Sequence, residues 1–219
     1  MARTTRRATV RALLDLHGRT YADEAGIRLT DTPQPLYRLL VLAGLLSARI
    51  RAGVAVAAAR ELSAAGLRSP RAMAEATWQQ RVDALGRGGY RRYDERTATQ
   101  LGDGAELVRT RYGGDLRRMR ARADGDLGEV RRELREFPGL GPAGVDIFLR
   151  EAQAVWPESA PYFDAKTLQG AALLGLPDSP ARLARLADGT DPSVLAAALV
   201  RVALDKHAVA TVEEAAAGR

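Results

Sequence analysis

Apolar residues along this chain recur at three- and four-residue intervals, in runs separated by proline, glycine and aspartate. Thr9 to His17 places Val10, Leu13, Leu14 and Leu16 at mostly helical spacing. The turn and helix-entry signal Asp31-Thr32-Pro33-Gln34-Pro35 precedes Leu36 to Arg49, whose leucines and Val41 cover most of a helix surface, the pattern of a buried central helix. Further helices fit Arg51 to Ala65, Pro70 to Glu75, Trp78 to Leu85 and Asp94 to Tyr112, with Gly102 and Gly104 as candidate breaks in the last. Asp126 or its neighbour Asp124 caps a helix containing Leu127, Val130, Leu134 and Phe137, which stops at Pro138-Gly139. Pro142 suits the first turn of the next helix, and Val145, Ile147, Phe148 and Leu149 suit its packing against the helix before. Helices at Ala165 to Leu174, Pro180 to Ala187 and Pro192 to Lys206 follow, ending in an alanine-rich tail expected to fray. No segment alternates with a period of two, so the pattern predicts an all-α protein of roughly ten helices.

Composition narrows the chemistry. The chain's 219 residues can fill one large or two small cores, and its formal charge of +6 favours a polyanionic partner, nucleic acid or acidic lipid. All but two of the 33 basic residues are arginines, so any reaction needing a side-chain amine has only Lys166 and Lys206. The absence of cysteine excludes disulfides, thiolate zinc sites and iron–sulfur clusters, and two histidines argue against a histidine metal centre. No apolar run reaches membrane-spanning length, and the opening Met-Ala-Arg-Thr-Thr-Arg-Arg lacks the apolar segment of a secretion signal. The expectation is a cytoplasmic monomer, in the bacterial nucleoid, without a membrane partner. Arg3, Arg6 and Arg7 form a short basic arm that either touches DNA or is simply solvated.

The densest chemistry lies between Phe137 and Asp164, where Pro138-Gly139-Leu140-Gly141 opens an apolar helix that leads on to Pro161-Tyr162-Phe163-Asp164. Glycines let backbone amides approach a phosphate, which then lies at the positive end of the following helix. An aspartate further along is suited to stabilise positive charge developing on a deoxyribose. The plainer alternative is a Pro-Gly turn between packed helices.

Leu134 to Pro142 resembles the helix-hairpin-helix of the endonuclease III-like DNA glycosylase superfamily. Three other segments resemble that family's motifs in the same order: Leu45-Leu46-Ser47-Ala48-Arg49 its Leu-Leu-Ser-Ala-Gln helix, Tyr93-Asp94-Glu95-Arg96 its Tyr-x-x-Lys helix start, and Trp156-Pro157 with Phe163-Asp164 the stretch around its aspartate. The likeness covers residues 35 to 175. It implies a two-lobed helical fold with a cleft between the lobes, DNA running across it and a nucleotide flipped into a pocket there. One lobe would be a six-helix domain over 31–151, and residues 1–30 with 152–219 would make the other. It also implies that the amides of Gly139, Gly141 and Ala143, with Leu140 between, bind a phosphate, and that hairpin carbonyls hold a monovalent cation. No side-chain metal site and no cofactor are expected; the four-cysteine cluster common in the family is impossible here.

For Asp164 the resemblance implies the carboxylate that stabilises an oxocarbenium-like sugar and orients or deprotonates the attacking water. The alternative, compatible with the first, is a cap on the helix beginning at Ala165, worth about 1 kcal/mol. Bifunctional family members carry a nucleophilic lysine where Ala143 stands, and a methyl group cannot form a Schiff base. Lys166, about 200° around the helix from Asp164, is read first as a phosphate contact or solvent-facing charge, with a nucleophilic role kept open. Asp146 is a secondary catalytic candidate, set against a simple ion pair with Arg150 four residues on. Arg49, in place of the family's glutamine, is read as filling the vacated base stack or as a plain surface arginine. Tyr90 or Arg92, in the basic glycine loop Gly86 to Tyr93, is read as inserting into the opposite strand or as part of a mobile loop. Trp156, Tyr162 and Phe163 either line the base pocket or belong to the core. The leading expectation is a monofunctional DNA repair glycosylase acting on duplex with a lesion or mismatch, hydrolysing the N-glycosidic bond with Asp164 and water. The alternatives are a noncatalytic structure-specific DNA-binding protein and a glycosylase with lyase activity through Lys166. Nothing in the residues identifies the base.

Overall fold

The computed structural model describes residues 5–187 and 189–218; Arg3 and the side chain of Lys206 lie outside them. The described residues are helical, with no strand. In chain order the helices are α1 (Arg6–His17), α2 (Tyr21–Glu24), α3 (Pro33–Ser47), α4 (Ala52–Ala64), α5 (Pro70–Glu75), α6 (Trp78–Arg87), α7 (Asp94–Tyr112), α8 (Leu116–Arg122), α9 (Leu127–Arg135), α10 (Pro142–Ala152), α11 (Ala165–Leu173), α12 (Pro180–Leu186), α13 (Pro192–Leu204) and α14 (Lys206–Ala217), with a 3-10 turn at Pro157–Ser159. None is long and apolar enough to cross a membrane.

Their starts follow from local chemistry. Thr5, Ser69, Asp115, Asp126, Asp164, Asp191 and Asp205 each accept an amide of the helix they open, and Thr77 with Gln80 forms a reciprocal capping box. Asp126 is the cap of α9, whereas Asp124 lies in the preceding turn with φ of +46°. Thr5 draws Arg6 and Arg7 into the first turn of α1, so they belong to a helix and not to a free arm. Asp205 stops α13 and starts α14, which converts the expected frayed tail into a helix with Ala208, Val212 and Ala216 buried.

The chain forms two compact units, one of residues 22–148 and the other of the chain up to Tyr21 and from Leu149 onward. The first crossover comes before the expected boundary at 30/31 because Ala22, Ala25 and Ile27 are buried and Arg38 of α3 donates to the carbonyl of Gly26 at 3.0 Å. The second falls inside α10, ahead of the expected 151/152.

In the 22–148 unit, α3 is the central helix, with eight of its residues from Leu36 to Leu45 buried; it packs on α4 and α8, while α5 and α6 pack on α7. α7 runs unbroken through Gly102, a position that makes room for Arg81: a Cβ there would lie 2.7 Å from its guanidinium. Arg81 is buried and donates to the carbonyls of Met73, Ala76 and Ala98 at 2.7–2.9 Å, tying the end of α5 to α7. In the other unit α13 is the centre, packed on α1, α11 and α14. Gly170 of α11 sets the closest approach, since a Cβ on it would lie 2.0 Å from the carbonyl oxygen of Leu199.

Candidate nucleic-acid interface

The hairpin between α9 and α10 is anchored from below and open above. Phe137 and Leu140 are buried, and the Phe137 ring lies 6.2 Å from that of Tyr112. The Leu140 amide donates to the Phe137 carbonyl at 3.0 Å, and the Val145 amide to that of Gly141 at 3.1 Å. Gly139 closes the turn at φ of +82°, and the amide group of Gln100 packs where its side chain would be. That combination of left-handed backbone and close approach selects glycine. Gly139, Gly141 and Ala143 are exposed, and their amides have no acceptor among the described residues, as geometry requires for the opening turn of a helix. An anion would find several donors and the positive end of an eleven-residue helix there.

Four of the expected DNA-contacting residues, Arg49, Tyr90, Gly139 and Leu140, line a single cavity of about 350 Å³ in the same unit. Its walls come from α3, α7 and the hairpin. Arg49 is exposed just past the end of α3, and Arg92 is exposed with its guanidinium 5.3 Å above the ring of Tyr93. Tyr90 departs from the expected wedge: it is only 2% exposed, and its oxygen accepts from the Thr97 hydroxyl at 3.4 Å. Burial, first of all, pushes its phenol pKa up. Tyr90 is therefore a wall of the cavity and a member of the core. Among the other lining residues, Tyr37, Gly44, Gln100 and Gly104 carry no local motif, since α3 and α7 meet only in the fold.

In the other unit, Asp164 caps α11, its Oδ1 accepting from the Thr167 amide at 3.0 Å, while Oδ2 accepts from Arg150 Nη2 at 3.2 Å. Both side chains are buried, at 7% and 8% exposure. One oxygen is thus held by the helix and the other by a guanidinium, a fixed orientation for the carboxylate. The ion pair with Arg150, the alternative to a catalytic role for Asp146, gives way to one with Arg131, which Asp146 meets at 2.7 Å. Lys166 points its amine to Gln169 of its own helix at 3.0 Å. Trp156 is 1% exposed and Phe163 belongs to the apolar core around α13, so neither lines an open base pocket. Tyr162 is partly exposed, its backbone amide and carbonyl clamped by the buried Gln153. The sequence shows Arg150 only as a partner for Asp146 and gives no sign of Gln153, because their actual partners lie across a turn, fourteen and nine residues away. Among the described residues no cluster of histidine, aspartate and glutamate has the makings of a metal site.

No family model, no curated protein and no solved structure matches this chain.

Proposed function

We propose that the chain is a DNA repair glycosylase: it grips a duplex backbone through the Phe137–Ala143 hairpin and hydrolyses the N-glycosidic bond of a flipped nucleotide. The observation that carries this reading is the anchored hairpin, in which left-handed Gly139 and the exposed amides of Gly141 and Ala143 crown the start of α10 above buried Phe137 and Leu140. Such donors supply affinity and register without base selectivity. In the reaction the C1′–N bond breaks with its electrons leaving on the base, and water forms the new C1′–O bond. Asp164 is the carboxylate that stabilises the cationic sugar and takes the water's proton. Arg150 holds it in place.

A second reading, DNA binding without catalysis, is favoured by one observation: both carboxylate oxygens of Asp164 already have partners, one of them a buried guanidinium. Duplexes carrying a single uracil, alkylated, oxidised or mismatched base, incubated with wild type and Asp164→Asn and then treated or not with alkali, decide between the two. The glycosylase reading expects strand breaks only after alkali, and a loss on the order of 100-fold in rate for Asp164→Asn. Tight binding with every base left in place would establish the second reading. Borohydride trapping that vanishes in Lys166→Ala would instead assign a lyase step to Lys166.

A further inference from the structure

The cavity beneath the hairpin has the properties of a ligand site in its own right. Its volume of about 350 Å³ lies at the small end of the range for small-molecule pockets, about 300–1,000 Å³. Buried Tyr37 of α3 and Phe137 of the hairpin close its walls, and Tyr93 at the start of α7 is the partly exposed aromatic that lines it. Arg49 and Arg96 add two guanidinium groups from different elements, and neither has a carboxylate partner among the described residues. Gln100, beside Gly139, contributes an amide that both donates and accepts.

Two helical glycines keep this space open. Gly44 in the middle of α3 and Gly104 in α7 both line the cavity, and neither has a positive φ that would require glycine. A Cβ built on Gly44 would meet no atom within 4 Å outside its own helix, and one on Gly104 would meet only Pro138 at 3.8 Å. Glycine inside a helix lowers its stability, so where packing does not demand it another reason is sought. Here its effect is an empty volume at the aromatic walls.

We propose that this cavity binds a mononucleotide unit, its base against Tyr93 with Gln100 on a polar edge, and its phosphate held by Arg49 and Arg96. Aromatic faces accept any base by stacking, and guanidinium forks match phosphate oxygens. A free nucleotide and a nucleotide of a DNA strand share this chemistry. The site lies wholly within the 22–148 unit, so the proposal does not depend on Asp164 or on glycosylase activity.

The test is calorimetric titration of the full-length protein with 2′-deoxynucleoside 5′-monophosphates, the parent nucleosides, inorganic phosphate and a short single-stranded oligonucleotide. Wild type is compared with Gly44→Leu, which places a side chain in the cavity from α3, and with Arg96→Gln. Saturable mononucleotide binding, weakened about tenfold or more by each variant and weaker for nucleoside or phosphate alone, supports the site. Saturation by the oligonucleotide alone, with the same sensitivity to both variants, supports it with the strand as source. Binding unchanged in Gly44→Leu, phosphate binding as tightly as the nucleotide, or no binding by any probe overturns it. Thermal melting of Gly44→Leu at or above the wild-type midpoint shows that a loss is not unfolding, and unchanged duplex affinity of that variant keeps the hairpin reading separate.

Discussion

Arg150 and Asp164 form a buried ion pair whose partners lie on either side of a turn, and each depends on the other for its desolvated charge. Removing one member of such a pair costs about 3–5 kcal/mol. Arg150→Leu should therefore destabilise the protein by about 3 kcal/mol in urea unfolding, whereas Lys166→Ala, bonded only to Gln169 at the surface, should change it by less than about 0.5 kcal/mol. His17 makes a second prediction at this scale. Burial, first of all, and then the charge of Arg201 lower its pKa, with Asp205 opposing, and its Nε2 is buried with no partner among the described residues. The unfolded chain takes up a proton near the ordinary value of 6.5 that the folded chain accepts only at lower pH. Stability is therefore full above that value and falls as pH drops through it toward the folded pKa. His17→Gln should flatten this part of the stability–pH curve, measured by denaturation at several pH values.

At the scale of the element, glycines show how differently one residue type can act within helices. Gly170→Ala would drive a methyl group into the Leu199 carbonyl and push α11 from α13, and urea unfolding should show a loss of about 3 kcal/mol, the upper end for overpacking. Gly44→Ala, facing open space, should stabilise α3 by about 0.5–1 kcal/mol in the same measurement. Most helices were legible because their apolar period, prolines and capping residues are local. α8 was not, since seven residues with only Leu116 and Met119 buried are too short to display a period. α14 looked like a tail because its alanines give little apolar contrast, and its order comes from packing against α1 and α13.

For the whole molecule, the proposed function together with the +6 charge predicts salt-sensitive duplex binding. Each phosphate neutralised contributes a slope of about −0.9 to log K against log salt. If Arg49 contacts a phosphate, Arg49→Ala should reduce that slope by about one unit, and Gly139→Val should weaken binding to all sequences alike. Fluorescence anisotropy over a salt series checks both.

The sequence by itself determined an all-α chain, most helix limits, the hairpin with its left-handed glycine, the cap at Asp164 and the impossibility of thiolate chemistry. These properties depend on residues a few positions apart, within reach of helical period, capping and turn geometry. Only the tertiary structure decided that Arg150 holds Asp164 while Asp146 meets Arg131, that Tyr90 is a wall, that Phe163 is core, and that Gly44 and Gly104 open onto one cavity. Those outcomes depend on which helix faces meet. A side chain's partner across such a meeting is set by packing, and periodicity along the chain does not encode it.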